Sequence, residues 1–218
     1  MTQALLEMQQ LTCERDERCL FYQLSLQVFP GDIVQIEGPN GSGKTSLLRI
    51  LTTISNVYQG ELLWRGQSFR QAKLDYLNHL LFCGHLPAVK KALTPRENLL
   101  WFSGMNSGHC QVAIKDALQA VGLYGFEDVP CYSLSAGQLR RVALARLYLT
   151  PAQVWILDEP FTAIDKQGVS NLEQLLAEHV AGGGVVILTT HQELGLSGIV
   201  PVNLLDYQQS PLAAEQSQ

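Results

Sequence analysis

Residues 38–45 read GPNGSGKT and match the phosphate-binding pattern G-x-x-x-x-G-K-[ST] at every fixed position. In this pattern glycines turn consecutive backbone N–H groups towards phosphate oxygens, Lys44 adds a charge for the β and γ groups, and Thr45 offers a hydroxyl to Mg²⁺. The alternative is a glycine-rich turn with an accidental Lys-Thr pair, but a strand pattern before the loop and a helical pattern after it favour a nucleotide site. The residues expected to bind the nucleotide are Gly38, Pro39, Asn40, Gly41, Ser42, Gly43, Lys44 and Thr45.

Two acidic residues follow four apolar ones in the segment VWILDEP. The apolar run predicts a buried strand, and open α/β sheets bind ligands beyond the carboxyl ends of their strands. We therefore expect Asp158 to hold Mg²⁺ together with Thr45, and Glu159 to act as the base that polarises the attacking water. Two acids in a loop are more commonly solvated surface charges, and it is the accompanying phosphate loop that favours catalysis.

A histidine, His191, follows a second apolar run, VVILTT. At the carboxyl end of a predicted strand, a neutral imidazole could donate to the γ-phosphate or to the charge that develops on it during bond cleavage. The candidate catalytic residues are therefore Glu159, His191 and Lys44. The other histidines are interpreted first as ordinary core or surface residues; they are His79, His85, His109 and His179.

A third candidate segment, LSAGQ, comprises Leu134, Ser135, Ala136, Gly137 and Gln138 and precedes a long helical pattern. Ser135 is a favourable N-cap, and helix N-termini bind anions. We expect Ala136 to keep a negative φ and Gly137 to supply backbone freedom. Because residues 38–45 already surround a phosphate, the sequence raises the question of which phosphate this second segment contacts.

These candidate residues require strands and helices that bring them together. Short apolar runs rich in β-branched and aromatic residues predict a small N-terminal sheet that leads into a buried strand, and two later apolar runs predict buried parallel strands. The runs are residues 5–11, 20–29, 33–37 and 60–66, followed by 154–157 and 185–190.

Helical spacing dominates the middle of the chain. It begins directly after the phosphate loop and returns from about residue 73 to 149, where residues 94–97 resemble a capping box. We interpret residues 1–208 as one domain with a helical subdomain at about 73–149. Residues 209–218 are polar and are expected to be disordered.

Composition excludes several other classes of protein. A net charge of −5 gives no indication of the basic surface that binds nucleic acid. The five scattered cysteines form no CxxC pair, so neither a disulfide framework nor a zinc site is expected. We also expect no signal peptide and no membrane span, because the start lacks a basic region and no apolar run approaches about 18 residues.

Taken together, the motifs resemble those of the ATP-binding-cassette (ABC) ATPases, where they occur in the same order. GPNGSGKT is similar to the Walker A loop, LSAGQ to the signature, WILDEP to Walker B, FTAID to the D-loop with Asp165, and TTH to the switch-histidine segment. The resemblance covers about residues 11–205. It implies a phosphate-loop NTPase α/β fold with a mainly parallel sheet, a small N-terminal antiparallel β subdomain and an inserted helical subdomain. It also implies ATP and Mg²⁺ as cofactors, and a head-to-tail homodimer in which LSAGQ contacts the partner's ATP.

Several segments are similar in particular to the haem-exporter ATPases of cytochrome c biogenesis: IEGPNGSGKTSLLRIL, Gly84-His85, LTPRENL and LSAGQLRRVALARL. This resemblance implies a peripheral ATPase on the cytoplasmic face of the inner membrane. Its partners would be integral membrane subunits, the B and C components, in haem export or release of a haem-loaded chaperone. Haem itself is not expected to bind this chain, which has no CxxCH motif. The alternatives are a subunit of another ABC transporter, or a non-transport ABC ATPase that acts as a dimer switch.

Two positions depart from the pattern of ABC ATPases. His85 lies near the place of a glutamine that touches magnesium and links catalysis to the membrane partner, so we regard it as an uncertain coupling position. Arg15 lies near the place of an aromatic residue that stacks on adenine, whereas Phe21 and Tyr22 are more simply strand residues. Arginine can itself stack on a ring face.

Overall fold

A computed structural model describes residues 3–16, 18–105 and 111–208 of the chain. The polar tail predicted at 209–218 and the residues His109 and Cys110 lie outside these ranges. Of the described cysteines, Cys13, Cys19, Cys83 and Cys131 are free thiols.

Two sheets organise the described part of the chain. The first is antiparallel, in the order β2-β1-β4-β5: Arg18–Val28, Leu6–Arg15, Gln59–Trp64 and Gln67–Ser68. The second is wholly parallel, in the order β6-β7-β8-β3-β9: Leu80–Cys83, Val154–Asp158, Val185–Thr189, Ile33–Glu37 and Ile199–Asn203. The predicted α/β fold with a parallel core and an N-terminal antiparallel sheet is therefore confirmed.

Six α-helices lie between and beside these strands in the described ranges. They are α1 (Lys44–Leu51), α2 (Phe69–Asn78), α3 (Pro95–Met105), α4 (Gln111–Ala120), α5 (Ala136–Leu144) and α6 (Lys166–Ala181). Short 3-10 helices cover Cys131–Ser133, Ala145–Tyr148 and Leu204–Tyr207. The capping box predicted before α3 is present, since Thr94 Oγ1 accepts from the Glu97 N–H and the Glu97 carboxylate accepts from the Thr94 N–H.

The parallel sheet is buried on both faces, which explains why its strands are continuous apolar runs. In β7, Val154 and Ile156 pack into the core shared with the antiparallel sheet and α1, whereas Trp155 and Leu157 pack on the opposite face with Leu176 of α6. Alternation of side chains along a strand divides the two cores in this way. The carboxyl ends of β3, β7 and β8 consequently lie side by side in a rigid layer.

A third core lies inside the segment predicted to be helical. It joins α3, α4 and α5 through side chains such as Leu99, Leu118 and Val142. Strand β6 also falls within residues 73–149, but it pairs with β7 and belongs to the parallel sheet. The described helices include none with the length and apolar character that crossing a bilayer would require.

Candidate functional site

The phosphate loop connects β3 to α1 and has the backbone conformation that its glycines allow. Gly38, Gly41 and Gly43 have φ values of 140°, 82° and 106°, a region that other residues rarely adopt. A Cβ atom at Gly38 would lie 2.6 Å from Ser42 Oγ. The loop therefore tolerates no side chain at its first position, and it leads directly into the helix N-terminus that binds anions.

Lys44 folds back over this loop. Its Nζ donates to the carbonyl oxygens of Gly38 at 2.5 Å and Pro39 at 3.2 Å. The ammonium group therefore lies against the start of the loop, close enough to contribute a positive charge to a phosphate bound there.

Asp158 and Glu159 lie at the carboxyl end of β7, next to the end of β8. The Thr189 hydroxyl donates to Asp158 Oδ1 at 2.7 Å, and the Glu159 N–H donates to Thr189 Oγ1 at 3.0 Å. Asp158 is buried, and Glu159 has a φ of 52°, which is uncommon for a residue with a side chain. Thr189 thus orients both acidic residues. The sequence analysis did not identify it, because it completes an apolar strand.

His191 reaches Glu159 from the loop after β8. Its Nε2 lies 3.5 Å from Glu159 Oε1, and its side chain is 63% exposed, compared with 19% for that of Glu159. The imidazole therefore stands at the mouth of the site and the carboxylate deeper within it. This arrangement suits a base in the interior and a hydrogen-bond donor at the rim.

One cleft of about 840 Å³ brings most of the predicted residues together. Its size fits a small-molecule ligand. The predicted residues that line it are Pro39, Asn40, Gly41, Gly43, Lys44, Thr45, Asp158, Glu159 and His191. His85 and Arg15 line it too, whereas Phe21 is fully buried in the core beneath Gly43.

The donors that face this cleft suit Mg²⁺. Asp158 Oδ1 is already bonded to Thr189, which leaves Oδ2 as a free oxygen, and the Thr45 hydroxyl lies on the first turn of α1 in the same cleft. Magnesium commonly takes one or two protein oxygens and completes its shell with water and phosphate. In the described ranges no group of three or more metal-ligating side chains occurs, so a dedicated protein cage for another metal is not seen there.

The LSAGQ segment forms the N-terminus of α5. Ser135 is the N-cap, with its side chain accepting from the Gln138 N–H at 3.2 Å while the Gln138 side chain accepts from the Ser135 N–H at 2.9 Å. Residues 134–138, all described, are absent from the lining of the 840 Å³ cleft. The structure thus brings loop 38–45, Asp158, Glu159 and His191 together, and it leaves the signature segment apart from them.

Gly137 is required for a reason other than the one expected. It has no positive φ, and a Cβ atom placed on it would lie 2.6 Å from the carbonyl oxygen of Ala163. The expectation of backbone freedom at Gly137 is therefore wrong, and close approach is the physical reason for glycine. Ala136 likewise has no positive φ, as expected.

The segment that follows Glu159 also contacts α5, through Asp165. Asp165 is the N-cap of α6 and accepts from the Gly168 N–H at 2.8 Å, while its carboxylate pairs with Arg141 of α5. The Gly168 N–H, and secondarily Arg141, lower the pKa of Asp165. Asp165, the predicted D-loop residue, is therefore an anionic link between α5 and α6.

Comparison with known proteins gives an independent result for the sequence. The model of the ABC transporter family matches residues 21–162. The cytochrome c biogenesis ATP-binding export protein CcmA of Yersinia pestis bv. Antiqua (strain Nepal516) is 57% identical over 191 residues, which are 88% of each chain. The protein of the same name from Hahella chejuensis (strain KCTC 2396) is 54% identical over 196 residues, 90% of this chain and 93% of the other.

Solved structures agree on the fold. An ABC transporter ATP-binding protein of Pyrococcus furiosus, described as putative, superposes with a TM-score of 0.81 at 25% identity, covering 94% of this chain and 99% of that one. The ATP-binding cassette MJ0796, solved as a dimer bound to ADP and Pi, superposes with a TM-score of 0.75 at 22% identity, covering 86% of this chain and 88% of that one.

Proposed function

Because the chain belongs to the ABC transporter family, we propose that it is the ATP-hydrolysing subunit of a membrane complex that exports haem, or releases a haem-loaded chaperone, in cytochrome c biogenesis. The observation that carries the chemistry is the single cleft that joins the phosphate loop to Asp158, Glu159 and His191. The 57% identity to a cytochrome c biogenesis export protein supports the process. The chain is an ATPase that binds ATP.

Under this proposal, the predicted site residues in the cleft have different roles in hydrolysis. Residues 38–45 cradle the phosphates with backbone N–H groups, and Lys44 neutralises the terminal oxygens. Glu159 accepts a proton from the attacking water, and His191 donates to the charge that develops on the γ-phosphate. Thr45 and Asp158 would hold Mg²⁺, which supplies charge stabilisation to the phosphates when bound.

The position of the signature supports a dimer. Ser135 and the N-terminus of α5 offer anion-binding groups, yet residues 134–138 are absent from the lining of the chain's own cleft. A second copy arranged head to tail would present these groups to the partner's ATP. The proposed assembly is therefore a homodimer with two ATP molecules between the subunits and with integral membrane subunits as further partners, at the cytoplasmic face of the inner membrane.

The first test concerns chemistry. Glu159→Gln keeps the shape of the side chain but removes the base, so turnover should fall about 10²- to 10⁴-fold while ATP binding persists and the dimer accumulates. Glu178→Gln, at an acid of α6 that does not line the cleft, is the matched control and should hydrolyse ATP normally. Normal hydrolysis by Glu159→Gln would exclude Glu159 as the base.

The second test concerns the process. Affinity purification of the tagged chain from membranes should recover integral membrane proteins, and the haem-loaded state of those proteins should change in a Lys44→Ala strain. Recovery of the chain alone from the membrane fraction would contradict the proposed partnership. It would then favour the alternatives of another transporter or a non-transport dimer switch.

A further inference from the structure

Arg140 of α5 is buried beneath the catalytic cleft, with only 4% of its surface exposed. Its Nη2 donates to the carbonyl oxygens of Asp158 and Glu159, both at 2.8 Å. Its Nη1 donates to the carbonyl oxygens of Gly84 at 2.7 Å and His85 at 3.4 Å. One guanidinium thus connects α5, the helix that begins with the LSAGQ segment, to two backbone segments that border the cleft.

Burying the positive charge of Arg140 costs free energy, because the charge loses its contact with water. Removal from water lowers the pKa of Arg140, and the described part of the chain shows no carboxylate in an ion pair with it. The backbone carbonyl groups that it binds, together with the nearby charges of Asp158 and Glu159, offset part of this cost. A planar fork with several N–H donors can reach two segments at once, which the single ammonium group of lysine cannot do.

One of the carbonyl groups that Arg140 binds belongs to a residue with an uncommon backbone conformation. Glu159 has a φ of 52°, and conformations of this kind persist only where surrounding contacts determine them. On the opposite side of the strand end, the Glu159 N–H is held by Thr189. On the carbonyl side, the Glu159 oxygen accepts from Arg140 at 2.8 Å and from the Thr162 N–H at 3.2 Å. Thr162 lies in the turn that follows Glu159, so Arg140 is the donor that connects this carbonyl to α5.

We propose that Arg140 is a positioning residue for hydrolysis. It fixes the backbone of Glu159 and of residues 84–85 relative to α5. This inference rests on the proposed role of Glu159 as the base. Arg140 touches neither the nucleotide loop nor a reacting atom in the hydrogen bonds it makes. Its loss should therefore lower kcat and leave ATP binding intact.

The experiment compares Arg140→Lys with Arg146→Lys in the full-length chain. Arg146 is the matched control because it is also buried and follows on the same helical segment, but it donates to the Phe82 carbonyl and lies 3.9 Å from the Phe102 ring centre. Misplacement of a catalytic group by about 1 Å can cost 10²-fold, so we expect kcat of Arg140→Lys to fall about ten- to hundredfold. The KM for ATP and the melting temperature should match those of Arg146→Lys.

A second variant, Arg140→Met, separates positioning from stability. It removes the guanidinium and leaves its carbonyl partners without that donor, which costs about 1–3 kcal/mol for a buried acceptor left unsatisfied, so its melting temperature is measured alongside kcat. Loss of kcat in a folded Arg140→Met would support the proposal. Equal kcat values in the Arg140 and Arg146 variants, a loss expressed in KM, or failure of both Arg140 variants to fold would overturn it.

Glu159→Gln measured in parallel distinguishes this inference from the function on which it rests. If Glu159→Gln is inactive while Arg140→Lys is normal, only the role of Arg140 is wrong. If Glu159→Gln remains active, the assignment of the base is wrong, and the Arg140 proposal fails with it.

Discussion

Replacing Gly137 by alanine should push the signature helix away from the segment that carries Ala163. The new Cβ atom would lie 2.6 Å from the Ala163 carbonyl oxygen, whereas ordinary contact begins near 3.4 Å. The two backbones must therefore separate by about 0.8 Å, at a contact where Gly137 is half-buried and Ala163 is exposed. Neither atom is at the end of a flexible side chain, so rotation cannot relieve the contact.

The expected cost is the difference of two opposing effects. Overpacking of this kind costs about 1–3 kcal/mol, and alanine regains up to about 1 kcal/mol over glycine within a helix. A net loss of about 1 kcal/mol should lower the melting temperature by about 2–4 °C in a chain of this size. The matched control is Gly104→Ala, because Gly104 also lies in a helix but has open space around its Cβ position.

Urea unfolding of the three proteins provides the measurement. Gly137→Ala should unfold at a lower urea concentration than the parent with an unchanged slope, and Gly104→Ala should be at least as stable as the parent. If Gly137→Ala is as stable as Gly104→Ala, the close approach to Ala163 does not constrain α5, and the physical reason given for the glycine is wrong.

Three further variants test other parts of the structure. Lys44→Ala removes the charge that lies over the Gly38 carbonyl, so ATP affinity should fall about tenfold or more in a titration, and unchanged affinity would contradict the phosphate-loop assignment. Ser135→Ala removes the acceptor for the Gln138 N–H and should cost about 1 kcal/mol in urea unfolding, a loss that Ser170→Ala, at an exposed position of α6, should not reproduce. Burial lowers the pKa of His179, so the unfolded chain takes up the proton more readily and stability should fall as pH drops below about 6.5. A His179→Gln variant should show a weaker pH dependence, and an identical pH profile would exclude this histidine as its source.

The chemistry of the cleft could be predicted from the sequence because its motifs are local. The spacing of glycines in residues 38–45 encodes the loop itself, and the apolar run before Asp158 indicates a buried strand with an acid at its end. Arg140 could not be identified in this way. Its partners, Gly84 and Glu159, are distant in sequence, and an arginine within a helix is usually a surface residue.

The elements that the sequence analysis missed have physical explanations. Strand β9 contains Pro201, which argues against a central strand, and the structure places β9 at the edge of the sheet beside β3. Strand β6 is only four residues long and follows directly on the helical pattern of α2, so it was the resemblance to ABC ATPases, and not its own pattern, that indicated a strand there. Helix α6 was also missed; it buries only Leu172 and Leu176, so its apolar stripe is narrow.

Helix α5 has a consequence for how two ATP molecules in the proposed dimer would influence each other. Ser135 at its start faces the partner's nucleotide in that dimer, and Arg140 binds the backbone of the chain's own Glu159. The two residues are separated by about 7.5 Å along a single rigid helix. A displacement caused by one ATP would therefore reach the base that acts on the other. Turnover should consequently be cooperative, with a Hill coefficient for ATP above 1, and the two sites should share one equilibrium between open and closed states.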